Sequence, residues 1–223
     1  MRGMAMNRRV RSEIPAIDDD LDVQAGQAVL SEASRKKVAA GVKHIIDAVN
    51  KYIEHEGTRD TPARVARMYE ELLAGYVVDP KKMLNNALFA VDYDEMVVVK
   101  DIEYYSLCEH HLLPFFGTAH VGYLPDGKVV GLSKIPRLVD IFARRLQVQE
   151  RMTQQIAGFL EELVQPQGVG VVVEGTHLCA AMRGVKKPSA RMVTSAVLGR
   201  FRTDPRTREE FMSHLRRDSG EAF

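Results

Sequence analysis

The spacing of apolar positions divides the chain into a helical first part and a second part in which strands and helices alternate. Val38, Val42, Ile45, Ile46, Val49 and Ile53 recur at three- and four-residue steps. That period predicts an amphipathic helix from near Ser31, stopped by Gly57. Thr61-Pro62 reads as a cap with proline at the first helical position, opening a second helix over ARVARMYEELLAGY, with Gly75 near its end. After Asn86 the period changes. Met96, Val97, Val98 and Val99 form a β-branched apolar run that predicts a buried strand. Segments 115–124 and 128–132 flank Pro125-Asp126-Gly127, a hairpin signal. Ser133-Lys134-Ile135-Pro136 then leads into a helix with Leu138, Val139, Ile141 and Phe142. A second helix shows Met152, Ile156, Phe159, Leu160 and Leu163 on one face and ends at Pro166-Gln167-Gly168. Segments 169–173 and 192–201 predict two further strands, and Asp204-Pro205 caps a last short helix containing Phe211 and Leu215.

This order predicts an α+β fold with a mostly antiparallel sheet. The expected organisation is a flexible N-terminal arm over 1–30, a helical region over 31–90 and a sheet domain over 91–223 that carries the chemistry. Such a sheet has open edges, which must be covered or paired, and pairing with a second copy is one solution.

Composition narrows the classes without choosing among them. Apolar residues make up 45% and charged residues 27%, ordinary for a soluble globular protein. A formal net charge of +1 gives no global case for nucleic acid or an acidic membrane as partner. No apolar run is long enough to span a bilayer. The start, MRGMAMNRRVRSEIP, is basic but lacks the apolar centre of a secretion signal, so the expectation is a cytoplasmic protein with reduced thiols.

The cysteines change the picture. There are two, Cys108 in Cys108-Glu109-His110-His111 and Cys179 in His177-Leu178-Cys179. Each stands beside histidine, and thiolate with imidazole suits a soft-ligand metal such as zinc. Cys108, His111 and Cys179 make three ligands with a fourth position open, the usual form of a catalytic site. Adding His177 closes the site at four, the usual structural form. In an extended segment His177 and Cys179 face the same way with Leu178 turned out. A disulfide or simple burial of the two cysteines is the plainer alternative. His44, His55, His120 and His214 have no ligand-like neighbours.

Cations gather in the same segments. Ser133, Lys134 and Arg137 lie at a predicted helix start, where free amides favour anions. Arg183 follows Cys179 by four residues, and Arg64 and Arg67 stand on the second helix. Gln149-Glu150 sit at the junction of the two central helices.

The segments Cys108-Glu109-His110-His111-Leu112-Leu113-Pro114-Phe115, Gly131-Leu132-Ser133-Lys134, Gly175-Thr176-His177-Leu178-Cys179 and Met182-Arg183-Gly184-Val185 closely resemble the zinc-dependent type I GTP cyclohydrolases. The resemblance runs from about Ala33 to Leu215, in the family's order and spacing, and includes Thr61-Pro62-Ala63-Arg64-Val65-Ala66. It implies the tunnelling fold (T-fold), whose subunits pair sheets into a barrel, and a homo-oligomer, a decamer, with active sites at subunit boundaries. It implies hydrolysis of GTP at C8 by zinc-activated water, release of formate and rearrangement to 7,8-dihydroneopterin triphosphate, the entry to tetrahydrofolate and related pterins. Carried onto this chain, Cys108, His111 and Cys179 are the Zn2+ ligands. His110 and His177 move protons with Ser133 beside them. Glu150 with Gln149 reads guanine, and Lys134, Arg137, Arg183, Arg64 and Arg67 contact phosphate and ribose. One departure is Ala180-Ala181, where a bulkier residue commonly follows the second zinc cysteine. The rival readings are a non-catalytic zinc-stabilised oligomerisation module and a zinc nucleobase deaminase. The latter is disfavoured because the Pro-Cys-x-x-Cys half of its signature is missing.

Overall fold

The computed structural model describes residues 28–49, 55–84 and 87–216. The expected arm up to residue 27, and Ile53, lie outside them. Helix α1 (Glu32–Ala48) begins at Ser31, whose hydroxyl accepts from the Ser34 amide at 3.1 Å. Helices α2 (His55–Thr58) and α3 (Thr61–Leu72) follow. The cap of α3 is Asp60, one residue before the predicted Thr61, and no side-chain bond closes it. Gly75 sits in a 3₁₀ turn, and a short α4 (Pro80–Leu84) completes the helical part. The apolar stripe of α1 is only partly covered: Val38, Val42 and Ile46 are half-buried, while Ile45 is 67% and Val49 43% exposed.

The main sheet contains β2 (Val97–Cys108), β3 (Pro114–Leu124), β5 (Leu146–Gln147), β6 (Gly168–His177) and β7 (Met192–Gly199), in the order β5-β2-β3-β6-β7. All pairings are antiparallel except the short parallel pair β2–β5. Two helices, α5 (Lys134–Ala143) and α6 (Gln149–Val164), pack on one face. Their apolar sides, with Leu138, Val139, Met152, Ile156 and Leu160, close over Tyr104, Phe115, Val171 and Val173 as one core. Each fully buried side chain of this size contributes about 1.5–3 kcal/mol, which is why the periodic residues of α5 and α6 dictate their faces. The fold is α+β, as the apolar pattern predicts.

The hairpin expectation fails. Strand β4 (Lys128–Val130) does not ladder with β3 across Pro125-Asp126-Gly127; it pairs with β1 (Leu88–Ala90) in a separate two-stranded sheet. Gly127 has φ +72°, so the turn forms as its residues dictate. The chain beyond it, however, meets β1, and it is tied to β3 by the Val130 amide donating to the Tyr123 hydroxyl at 3.0 Å. The strand expected to run to Phe201 stops at Gly199. Arg200–Thr203 is a helical turn, α8, that buries Phe201 against Phe211 of α9 (Pro205–Leu215) at 5.4 Å between ring centres. Asp204 caps α9 as expected, accepting from the Arg206 amide at 3.0 Å.

Candidate active site

The site forms where β2 ends, where β6 ends and where α6 begins. After Cys108 the chain makes a tight loop. The His111 and Leu112 amides both donate to the Cys108 carbonyl, at 3.3 and 2.8 Å, and the Cys108 amide donates to the Leu113 carbonyl at 2.9 Å. Leu112 takes φ +55°, a conformation a branched residue holds only when its surroundings force it. The loop is clipped to α6 by a two-pronged ion pair, Arg151 to Glu109 at 2.6 and 2.8 Å. The Arg151 guanidinium holds the Glu109 carboxyl below its ordinary range.

Cys179 reaches the same point from the opposite strand. The extended geometry expected for His177-x-Cys179 is not what forms. Strand β6 ends at His177, and Leu178–Ala181 is a helical turn, α7. The turn still delivers the thiol: Cys179 Sγ lies 4.0 Å from Cys108 Sγ. Ligand atoms of Cys108, His111 and Cys179 all fall within 4.8 Å of one another, and both cysteines are free thiols. Burial, and then Cys108 beside it, push the Cys179 thiol above its ordinary value, while Arg183 pulls the other way. Two thiols this close oppose each other's ionisation, and a cation between them relieves that cost. The donor set therefore fits a divalent soft-ligand metal.

His110 lies on the exposed side of the loop, its Nδ1 3.9 Å from Cys108 Sγ. His177 is half-buried and stacks flat on Phe115, ring centres 4.5 Å apart and planes 6° from parallel. Its Nε2 lies 2.9 Å from Gln149 Oε1. Burial lowers its pKa, with the Glu150 charge partly opposing. Glu150 is exposed in the first turn of α6, near enough to His177 to be felt. Gln149, beside it, is wholly buried. Ser133 and Lys134 open α5 as predicted, and Ser133 makes no capping bond. Arg137 is half-buried on that helix. Arg64 donates to the Gly57 carbonyl and the Thr61 hydroxyl, both at 3.0 Å, within its own helical region. Arg67 is exposed on the same helix, and among the described residues no hydrogen bond or ion pair joins either arginine to the metal-site residues.

Sequence reasoning missed the stacking of Phe115 and the Arg151–Glu109 clip, which join residues far apart in the chain. It also missed a cavity of about 310 Å3 against His177 and Cys179, lined in addition by Ala180, Lys187 and Arg191.

An antiparallel sheet with two helices on one face, and a Cys-His-Cys group at the strand ends with imidazoles beside it, defines the class: an α+β protein with a metal-competent site having non-ligand histidines at hand. The GTP cyclohydrolase I family model matches residues 38–216. Curated GTP cyclohydrolase 1 proteins lie close. That of Wolinella succinogenes is 53% identical over 81% of this chain and 98% of its own length. Those of Campylobacter jejuni subsp. jejuni serotype O:6 and Chlorobaculum tepidum are each 55% identical, over 80% and 77% of this chain and 94% and 76% of their own. The crystal structure of the archaeosine synthase QueF-Like in the apo form covers 48% of this chain and 97% of its own at 19% identity, with a TM-score of 0.39. The chain belongs to the GTP cyclohydrolase I family, and its α+β fold is that family's T-fold.

Proposed function

We propose that the chain is a hydrolase that converts GTP to 7,8-dihydroneopterin triphosphate and formate. The observation that carries this reading is the convergence of Cys108, His111 and Cys179 within 4.8 Å, with His110 and His177 adjacent but outside the group. Those three residues hold Zn2+. The ion, when bound, lowers the pKa of water at its open position toward neutrality and so supplies a nucleophile for C8. The closed-site module needs His177 as a fourth ligand, but the group whose ligand atoms converge is Cys108, His111 and Cys179, without His177.

The chain's own groups do the rest. His177, whose pKa burial lowers, and His110 on the open side of the loop pass protons as the imidazole ring of the base opens and the ribose rearranges. Ser133, whose hydroxyl makes no capping bond at the start of α5, takes part by family likeness. Glu150 stands exposed where a base can lie against it, and its carboxylate accepts from the ring N–H and exocyclic amine of guanine together, a pair adenine does not offer. Lys134, Arg137 and Arg183 face the triphosphate.

Arg64 and Arg67 serve the same site from a neighbouring subunit. Three features support an assembly of subunits, ten by family likeness. The outer edge of β7 is unpaired among the described residues, Tyr105 and Phe116 stack in the open at 6.0 Å, and Ile45 of α1 stands exposed. No helix among the described residues is long and apolar enough to cross a membrane, and the proposed location is the cytoplasm.

Two outcomes follow. Incubated with GTP, then oxidised and treated with phosphatase, the purified protein gives fluorescent neopterin, and with ATP it gives none. GTP giving no pterin overturns the proposal. Glu150→Gln turns a donor toward guanine's own donors. Leaving such a group unpaired costs about 1–3 kcal/mol, so GTP binds roughly five- to a hundredfold more weakly. Calorimetry showing unchanged GTP affinity removes Glu150 from this role.

A further inference from the structure

Gln149 carries more hydrogen bonds than any capping role requires, and they fix which end of its side-chain amide donates and which accepts. Its side chain is fully buried at the first residue of α6. Nε2 lies 3.0 Å from the Val173 carbonyl, 3.0 Å from the Met192 carbonyl and 3.1 Å from the Thr194 hydroxyl. Two of these are carbonyls, which only accept, so the amide orientation has no alternative: flipped, an oxygen would face two oxygens. The hydroxyls agree. Thr153 donates to the Gln149 carbonyl at 2.8 Å, so at 2.7 Å Thr194 donates to Thr153 and keeps a lone pair for Gln149. Gln149 Oε1 is therefore an acceptor, and His177 Nε2 at 2.9 Å must carry the proton.

We infer that Gln149 is a positioning residue that fixes His177 as its Nε2–H tautomer, with the ring held flat on Phe115 and Nδ1 left bare to take up a proton. This rests on the reading of His177 as a proton-transfer group. A neutral imidazole has one N–H, so pinning it at Nε2 decides the chemistry of the other nitrogen. The stack on Phe115 covers one ring face, and the Gln149 bond opposes rotation about the ring axis. Gly175 keeps the path open: a Cβ there would stand 2.5 Å from Gln149 Oε1 and collide with the Tyr104 hydroxyl.

The test uses the full zinc-loaded chain with 15N-labelled histidine. Solid-state ring-nitrogen spectra, with His177→Ala subtracted to isolate the signal, show the neutral His177 proton on Nε2 alone. In Gln149→Met the signal divides between tautomers. Zinc content stays the same, kcat falls roughly tenfold or more, a share of the 10²- to 10⁴-fold worth of a positioned proton-transfer group, and KM for GTP changes far less. A wild-type His177 protonated on Nδ1 overturns the inference, as does a folded Gln149→Met with unchanged kcat. The wild-type spectrum decides even where the variant does not fold. Full activity in His177→Ala would instead overturn the proton-transfer reading and leave the tautomer assignment to its own measurement.

Discussion

Cys179→Ser loses bound zinc and GTP turnover together. The thiol sits 4.0 Å from Cys108 Sγ on the short turn α7, outside the sheet's main ladders. Replacing it removes one of three protein ligands while leaving the packing of α5 and α6 on the sheet untouched. Serine's oxygen is harder and stays protonated at neutral pH, so it does not stand in for a thiolate. A lost outer partner alone weakens metal sites about 10- to 100-fold, and a lost ligand costs more. Elemental analysis of the folded variant should find zinc far below one per chain, and product formation should fall to background. Full zinc occupancy in Cys179→Ser would remove the residue from the metal group.

His177→Ala separates the two functions that Cys179→Ser removes at once. The imidazole lies against Phe115 and Gln149 with no place in the three-ligand group. Zinc should stay near one per chain. Turnover should fall roughly 10²- to 10⁴-fold, the usual worth of a positioned proton-transfer group. Zinc lost as completely as in Cys179→Ser would make His177 a fourth ligand, and the site a closed structural one.

The elements that packing dictates were legible in the sequence. Leu138, Val139, Ile141 and Phe142 of α5, and Met152, Ile156 and Leu160 of α6, follow the helical period and lie in the core. The site was legible as a set of residues, because the thiols and their histidine neighbours have few other uses at that spacing. What pattern does not encode is which partner a strand meets. The residues of the 125–127 turn are right for a hairpin, yet β4 pairs with β1 from the helical part. The extended reading of His177-x-Cys179 also failed, because Leu178, Ala180 and Ala181 are good helix formers and the chain makes a helical turn there. The stripe of α1 shows the converse: an apolar period read correctly as helix is only half covered within one subunit, with Ile45 left exposed. The resemblance pairs Gln149 with Glu150 against the base, but adjacent helix positions point different ways. One faces the open side and the other the core.

The most direct test of the whole account follows the carbon that is lost. GTP labelled at C8 is incubated with the zinc-loaded protein, with metal-stripped protein, and with stripped protein given zinc again. The account predicts labelled formate, one per pterin formed, from the first and third samples and none from the second. Folded, zinc-replete protein that binds GTP but releases no C8 carbon would contradict it.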